Sequence, residues 1–188
     1  MKIILSRKGF DNQYGGQPSP ILPDGTLLSL PIPAKGEEVR FSDLIHNNKS
    51  YLEIIKELKP NTKIKDYYTC HLDPDIRKEC LSRDSNWKPL FGQAGSSQGH
   101  LDKQGVTKGD LFLFFGSFRH TVLKGNRLTY VKNAPVIHLI FGYLQVGEIY
   151  KNSFPSHIKH HPHAGKNFIN NPNNAIYEAT EKLSLWKI

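Results

Sequence analysis

The chain has 188 residues, 38% of them hydrophobic and 22% charged, which is enough for one domain with a real core and too apolar for a disordered chain. With 25 Lys and Arg against 17 Asp and Glu, the net charge is +8, and an anionic partner is favoured, nucleic acid first. Two cysteines without CxxC spacing exclude zinc-ribbon and thioredoxin-like sites, and no apolar run approaches the roughly 18 residues of a membrane span.

In chain order, Ile3-Ile4-Leu5 reads as a short buried strand that opens at once into polar residues. The stretch 14–33 is rich in Gly and Pro and holds turn signals, with a short strand expected at 27–30. Ser42 is a candidate helix cap, and Tyr51, Ile54, Ile55 and Leu58 follow helical spacing up to the Pro60-Asn61 stop. Residues 67–72 read as extended, and Gly, Ser and Gln make 92–109 read as a loop. Residues 111–115 form the strongest strand signal, apolar on both faces and so expected to lie centrally. A second long strand or a hairpin is expected over 136–149, with a bulge or turn at Gly142 or Gly147. The segment 175–185 fits a helix or a strand equally. Few cysteines and the lack of a secretory leader point to a reducing cytoplasm.

Five stretches carry polar chemistry. In Ser6-Arg7-Lys8-Gly9-Phe10-Asp11, followed by Tyr14-Gly15-Gly16, an arginine fork and glycine-exposed backbone suit an anion, although no P-loop pattern is present. In His71-Leu72-Asp73-Pro74-Asp75, an extended backbone would project residues 71, 73 and 75 to one side, as acid–base groups or ligands of a divalent metal. The stretch 91–101 carries Gln98 and His100 among small residues, a composition suited to a ligand lying against the backbone. The 111–115 strand ends in Ser117, Phe118 and Arg119, an aromatic for base stacking beside a phosphate-binding cation. Four of the nine histidines fall within 157–163, a set that reads as a zinc cluster, as a phosphate site together with Lys159 or Lys166, or as a solvated basic loop.

Together SRKGFD (6–11) with YGG (14–16), HLDPD (71–75), FGQAGSSQGHL (91–101), GDLFLFFGSFR (109–119), HLIFGYLQVGEIY (138–150) and HPHAG (161–165) resemble the third type of nucleotide-modification-associated domain. That family occurs in bacteria and bacteriophages. The resemblance covers nearly the whole chain and implies a setting in nucleic-acid modification more than a known reaction. The two strand motifs are also similar to those of EVE and ASCH domains, whose PUA-like barrels hold a base in a cleft. Family members are expected to continue past the region matching 173–185, so a shortened member, a member lacking part of a site or one that needs a companion chain at its apolar C-terminal edge is expected.

The expected fold is therefore α+β in a single domain over 1–188: a strongly bent β-sheet or PUA-like barrel with flanking helices. The expected function is recognition or processing of a nucleotide or a modified base in DNA or RNA, in a phage or bacterial modification pathway. Two alternatives stand beside it. One is a metal-dependent or acid–base enzyme acting on a nucleotide; the other is an accessory subunit that docks a protein partner or a second copy through its C-terminal edge. Ser6, Arg7, Lys8, Asp11, Tyr14, Gln98, Ser117, Phe118, Arg119 and His163 are the candidate nucleotide-binding residues. His71, Asp73 and His100 are the candidate catalytic groups. His71, Asp73 and Asp75 are the candidate ligands of a divalent metal.

Overall fold

A computed structural model describes residues 1–183. In chain order the strands and helices are β1 (Ile3–Arg7), β2 (Ser19–Ile21), β3 (Ile32–Pro33), β4 (Ile45–His46), β5 (Lys49–Ser50), α1 (Tyr51–Leu58), β6 (Cys70–His71), β7 (Leu90–Ala94), α2 (Gly95–Lys103), β8 (Leu111–Lys124), β9 (Arg127–Tyr130), β10 (Ile137–Lys151) and β11 (Asn174–Ala179). Short 3₁₀ turns at Lys78–Cys80, Ser156–Ile158 and Pro162–Ala164 complete the set. The class is mixed α and β.

One seven-stranded mixed sheet runs β1-β8-β10-β11-β7, with β2 and β9 also pairing to β8. The central position expected for 111–115 is observed: β8 is parallel to β1 and β2 and antiparallel to β9 and β10. The path is open, with β1 and β7 at its ends, and no closed barrel is formed among the described residues. Residues 137–151 make one continuous strand. Its register shifts between Ile140 and Gly142 against β8, and again between Val146 and Glu148 against β11. Both expected glycines thus sit at irregularities, and a Cβ on Gly142 would lie 2.2 Å from Ile76 Cδ1.

Four sequence expectations of secondary structure need correction, the last of them the cap of α1. Strand β1 is not a buried core strand: it forms one edge of the sheet, with Ile3 61% and Leu5 63% exposed. The stretch 92–109 is not a loop. It continues β7 into α2, a helix of low intrinsic propensity that is held by burial of Gln98 and Leu101. Residues 27–30 form no strand; an isolated bridge joins Ile21 to Leu27, while Leu28 and Leu30 fill the core.

The cap of α1 is Ser50, not Ser42. Its hydroxyl accepts from the Glu53 N–H at 3.1 Å, and the Glu53 carboxylate accepts from the Ser50 N–H at 2.7 Å. The extended reading of 67–72 survives as β6, paired with β3, and 174–179 is a strand. Cores lie on separate clusters: α1 packs with Phe10, Leu30 and Phe41, while Phe91, Phe112, Phe114 and Tyr177 fill the space under the sheet and α2. No helix among the described residues is long and apolar enough to cross a membrane. The C-terminal edge expected to dock a partner falls largely on 184–188, outside the described residues.

Candidate functional site

The polar centre forms where the end of β1, the turn after β6, β7 and the 3₁₀ turn at 162–164 meet. Lys8 follows β1 and stays tied to the sheet, its N–H donating to Phe115 O at 2.9 Å. Its carbonyl passes so near Gly116 that a Cβ there would lie 2.5 Å from it. His71 ends β6, and the Asp73 N–H donates back to His71 O at 2.9 Å, so the chain turns instead of running on extended. That turn places Asp73 against β7, where the Gly92 N–H donates to its Oδ1 at 2.6 Å.

Asp73 is the hub. Its side chain is fully buried, and Lys8 Nζ lies 2.7 Å from Oδ2. His71 Nε2 stands 3.9 Å from Oδ2 and His161 Nε2 3.4 Å from Oδ1. Burial opposes the charge on Asp73, but Lys8 and then His161 outweigh it and hold the carboxyl well below its usual range. Lys8 also sits 4.5 Å from the centre of the Phe91 ring, a cation–π contact.

The three imidazoles have defined tautomers. Asn174 Nδ2 donates to His163 O at 2.7 Å, so Asn174 Oδ1, 2.9 Å from His163 Nδ1, accepts. His163 therefore carries its proton on Nδ1 and a lone pair on Nε2. His71 Nδ1 lies 3.3 Å from the Glu37 carboxylate, which only accepts, so Nδ1 carries a proton and the neutral form of the ring keeps its lone pair on Nε2. His161 is the reverse: its Nδ1 accepts from the His163 N–H at 3.3 Å, which leaves the proton on Nε2, buried and directed only weakly toward Asp73 Oδ1, 3.4 Å away. Burial pushes the His163 imidazole down to about 4, against the pull of Asp73, so it is neutral at physiological pH. Phe168 stacks on His163 at 4.3 Å and lies 5.3 Å from His71. Gly92 is required beside them, since a Cβ would sit 2.2 Å from His163 Cδ2 and 2.8 Å from His161 Cε1.

Of the residues expected to act together, Lys8, His71, Asp73 and His163 do meet here. Asp75 does not join them. It is buried in an ion pair with Arg83, with His160 Nε2 at 3.7 Å. Arg7 pairs with Asp11 at 2.9 Å, and Asp11 also accepts from the Tyr14 N–H, which organises the turn in which Tyr14 stands exposed. Gln98 is a buried core polar group, donating to Asp102 at 2.9 Å and accepting from the Tyr177 hydroxyl at 3.0 Å. Ser117 faces His138 at 3.3 Å, Phe118 is wholly buried, and Arg119 donates to Val131 O over the Tyr130 ring.

Ser6, Arg7, Ser96, Ser97 and His100 line a separate cleft of about 530 Å³. The histidine cluster is divided, since His161 and His163 enter the centre while His157 pairs with Glu178 at 2.7 Å. Glu37, Phe168 and Asn174 lie outside the stretches that carry polar chemistry in the sequence, whereas His161 belongs to the 157–163 histidine set and Gly92 to the 91–101 stretch.

Two clefts reach the centre. One of about 480 Å³ is lined by Gly9, Tyr51, Asp73, Pro74, Arg77 and Tyr143. The other, about 370 Å³, is lined by Glu37, His161, Lys159 and Lys166. Both fall within the range of small-ligand sites, about 300–1,000 Å³. Cys80 lines the first cleft and Cys70 the second; both are buried, and burial pushes the Cys80 thiol up to about 11.

The structure thus defines a mixed-sheet domain with a buried, carboxylate-centred cluster of lysine and histidines. The chain belongs to the nucleotide modification associated domain 3 family, which matches residues 2–186. Its role is therefore in nucleotide modification. No curated protein and no solved structure matches it.

Proposed function

We propose that the chain processes a nucleotide, free or within DNA, at the Lys8–His71–Asp73–His163 centre. One observation carries the reading: two imidazole lone pairs and a charged carboxylate are gathered from distant parts of the chain, each oriented by a second group. A pocket that only reads a base needs donors and acceptors facing the ligand. It does not need two imidazoles, each held at Nδ1 by an outer partner, gathered beside a buried carboxylate, an arrangement suited to taking protons or holding a cation. The nucleotide lies in the cleft that Asp73 shares with Tyr143, whose 54% exposed ring offers a stacking surface for the base. The net charge of +8 draws the anionic substrate in.

Recognition without chemistry has its own observation. Arg7, His100 and three serines, Ser6, Ser96 and Ser97, line the shallow cleft at the first turn of α2, where no side chain caps the helix. The experiment that separates the readings is a melting-temperature screen of purified protein against nucleotides, modified nucleosides and short DNA, followed by recovery of each stabilising ligand. Processing predicts that a stabilising ligand is converted by the wild type and returned unchanged by His163→Ala. A ligand that stabilises both proteins and is returned unchanged by both supports recognition.

A further inference from the structure

We infer that His71, Asp73 and His163 bind one divalent transition-metal ion. The inference rests on the processing reading of this centre and adds the cofactor to it. A ligand atom from each of the three lies within 4.8 Å of the other two. The outer hydrogen bonds leave Nε2 for a ligand: His163 Nδ1–H is committed to Asn174 and His71 Nδ1–H to Glu37, so the neutral form of each ring has its lone pair on Nε2. Two bare nitrogens and a carboxylate oxygen so close together repel one another unless a cation or donor lies among them. Lys8 supplies one donor, at 2.7 Å from Asp73 Oδ2, and no hydrogen bond joins it to either imidazole among the described residues. The second lone pair of Oδ2 remains available beside the two nitrogens.

Two imidazoles and one carboxylate suit zinc or ferrous iron better than magnesium or calcium. Three protein ligands leave positions for water or substrate, as catalytic metal sites require. The surroundings match those of ligating histidines, which normally give their other nitrogen to a carboxylate or carbonyl: Glu37 serves His71 and Asn174 serves His163. Solvent reaches the site over Lys8 and His71, whose side chains keep 15% and 12% exposure. Lys8 lies near enough to weaken a metal by repulsion, which gives the inference a distinctive consequence for Lys8→Met.

The test uses the full chain, stripped with chelator and titrated with Zn²⁺ by calorimetry, and with Co²⁺ by visible absorption. The expected result is one equivalent of Zn²⁺ and a Co²⁺ spectrum of nitrogen–oxygen ligation. His71→Ala and His163→Ala should lose both, His120→Ala on the exposed surface should keep them, and Glu37→Gln should bind about 10- to 100-fold more weakly. Lys8→Met should bind more tightly than the wild type. Should a variant misfold, the wild-type stoichiometry and Co²⁺ spectrum still decide. No stoichiometric Zn²⁺ in the wild type, or equal losses from His120→Ala and His163→Ala, overturns the inference. Stoichiometric binding with nucleotides returned unchanged would leave the metal site standing and remove the processing reading. Turnover by protein that binds no Zn²⁺ would do the opposite.

Discussion

Asn174 decides which nitrogen of His163 carries the proton: its amide donates to the His163 carbonyl and its oxygen accepts from Nδ1. Both groups are buried, so losing this partner leaves a carbonyl and an imidazole N–H unsatisfied. Asn174→Ala is expected to cost about 1–3 kcal/mol for each orphaned group, read by denaturant unfolding. It should also lower nucleotide turnover, because the ring is no longer held with Nε2 bare.

Gly92 and the two histidines compete for one space. Gly92→Ala should displace His161 and His163, with a stability loss of about 1–3 kcal/mol for overpacking. Gly99→Ala is the matched control, since a Cβ there meets only Asn173 Nδ2 at 3.7 Å. Similar melting temperatures for the two variants would contradict the packing seen at the centre.

The Lys8–Asp73 pair makes a prediction about coupling. Lys8→Met leaves a fully buried carboxylate without its counter-charge and should destabilise the metal-free protein by about 3–5 kcal/mol. The double variant Lys8→Met/Asp73→Leu should recover part of that loss, because neither charge is then left buried. Simple additivity in the cycle would show that the pair is not coupled.

Tyr143 is exposed and packs little, so Tyr143→Ala should leave the fold intact. If its ring carries the base, nucleotide affinity should fall by about 1–3 kcal/mol, read by calorimetry. Unchanged affinity would remove the stacking surface from the account.

Asp110 links stability to acid. Burial works against its charge, but the N–H groups of Lys2 and Thr107, at 2.6 and 3.0 Å, with the Lys2 ammonium and the N-terminus, hold its carboxyl below the usual value. A depressed folded pKa gives stabilisation that is present above the unfolded value of about 3.9 and is lost as pH falls through the folded pKa. Asp110→Asn should therefore lose stability at neutral pH and show a shallower fall below pH ~4 than the wild type.

The sequence discloses β8, β10 and α1 because each carries a strong local signal: an apolar run, a glycine-punctuated strand, and helical spacing. It conceals α2, whose Gly, Ser and Gln have little preference for helix and are held by tertiary burial. It misplaces Ile3 and Leu5, because an apolar triplet says nothing of whether a strand lies at an edge. At the site, Lys8, His71, Asp73 and His163 stand out as polar residues in distinctive motifs. Asp75 shares a motif with Asp73, yet the turn at 73–74 sends it to Arg83, which alternation along an extended strand does not foresee. Glu37 and Asn174 orient their imidazoles from 34 and 11 residues away, so no local pattern marks them.

The most direct test of the central claim is the nucleoside composition of cells producing the wild-type chain or His163→Ala, read by chromatography and mass spectrometry of digested DNA and of the free nucleotide pool. Processing at this centre predicts a nucleoside whose level changes with the wild type and not with the variant. Identical compositions from cells holding equal amounts of the two folded proteins would contradict it.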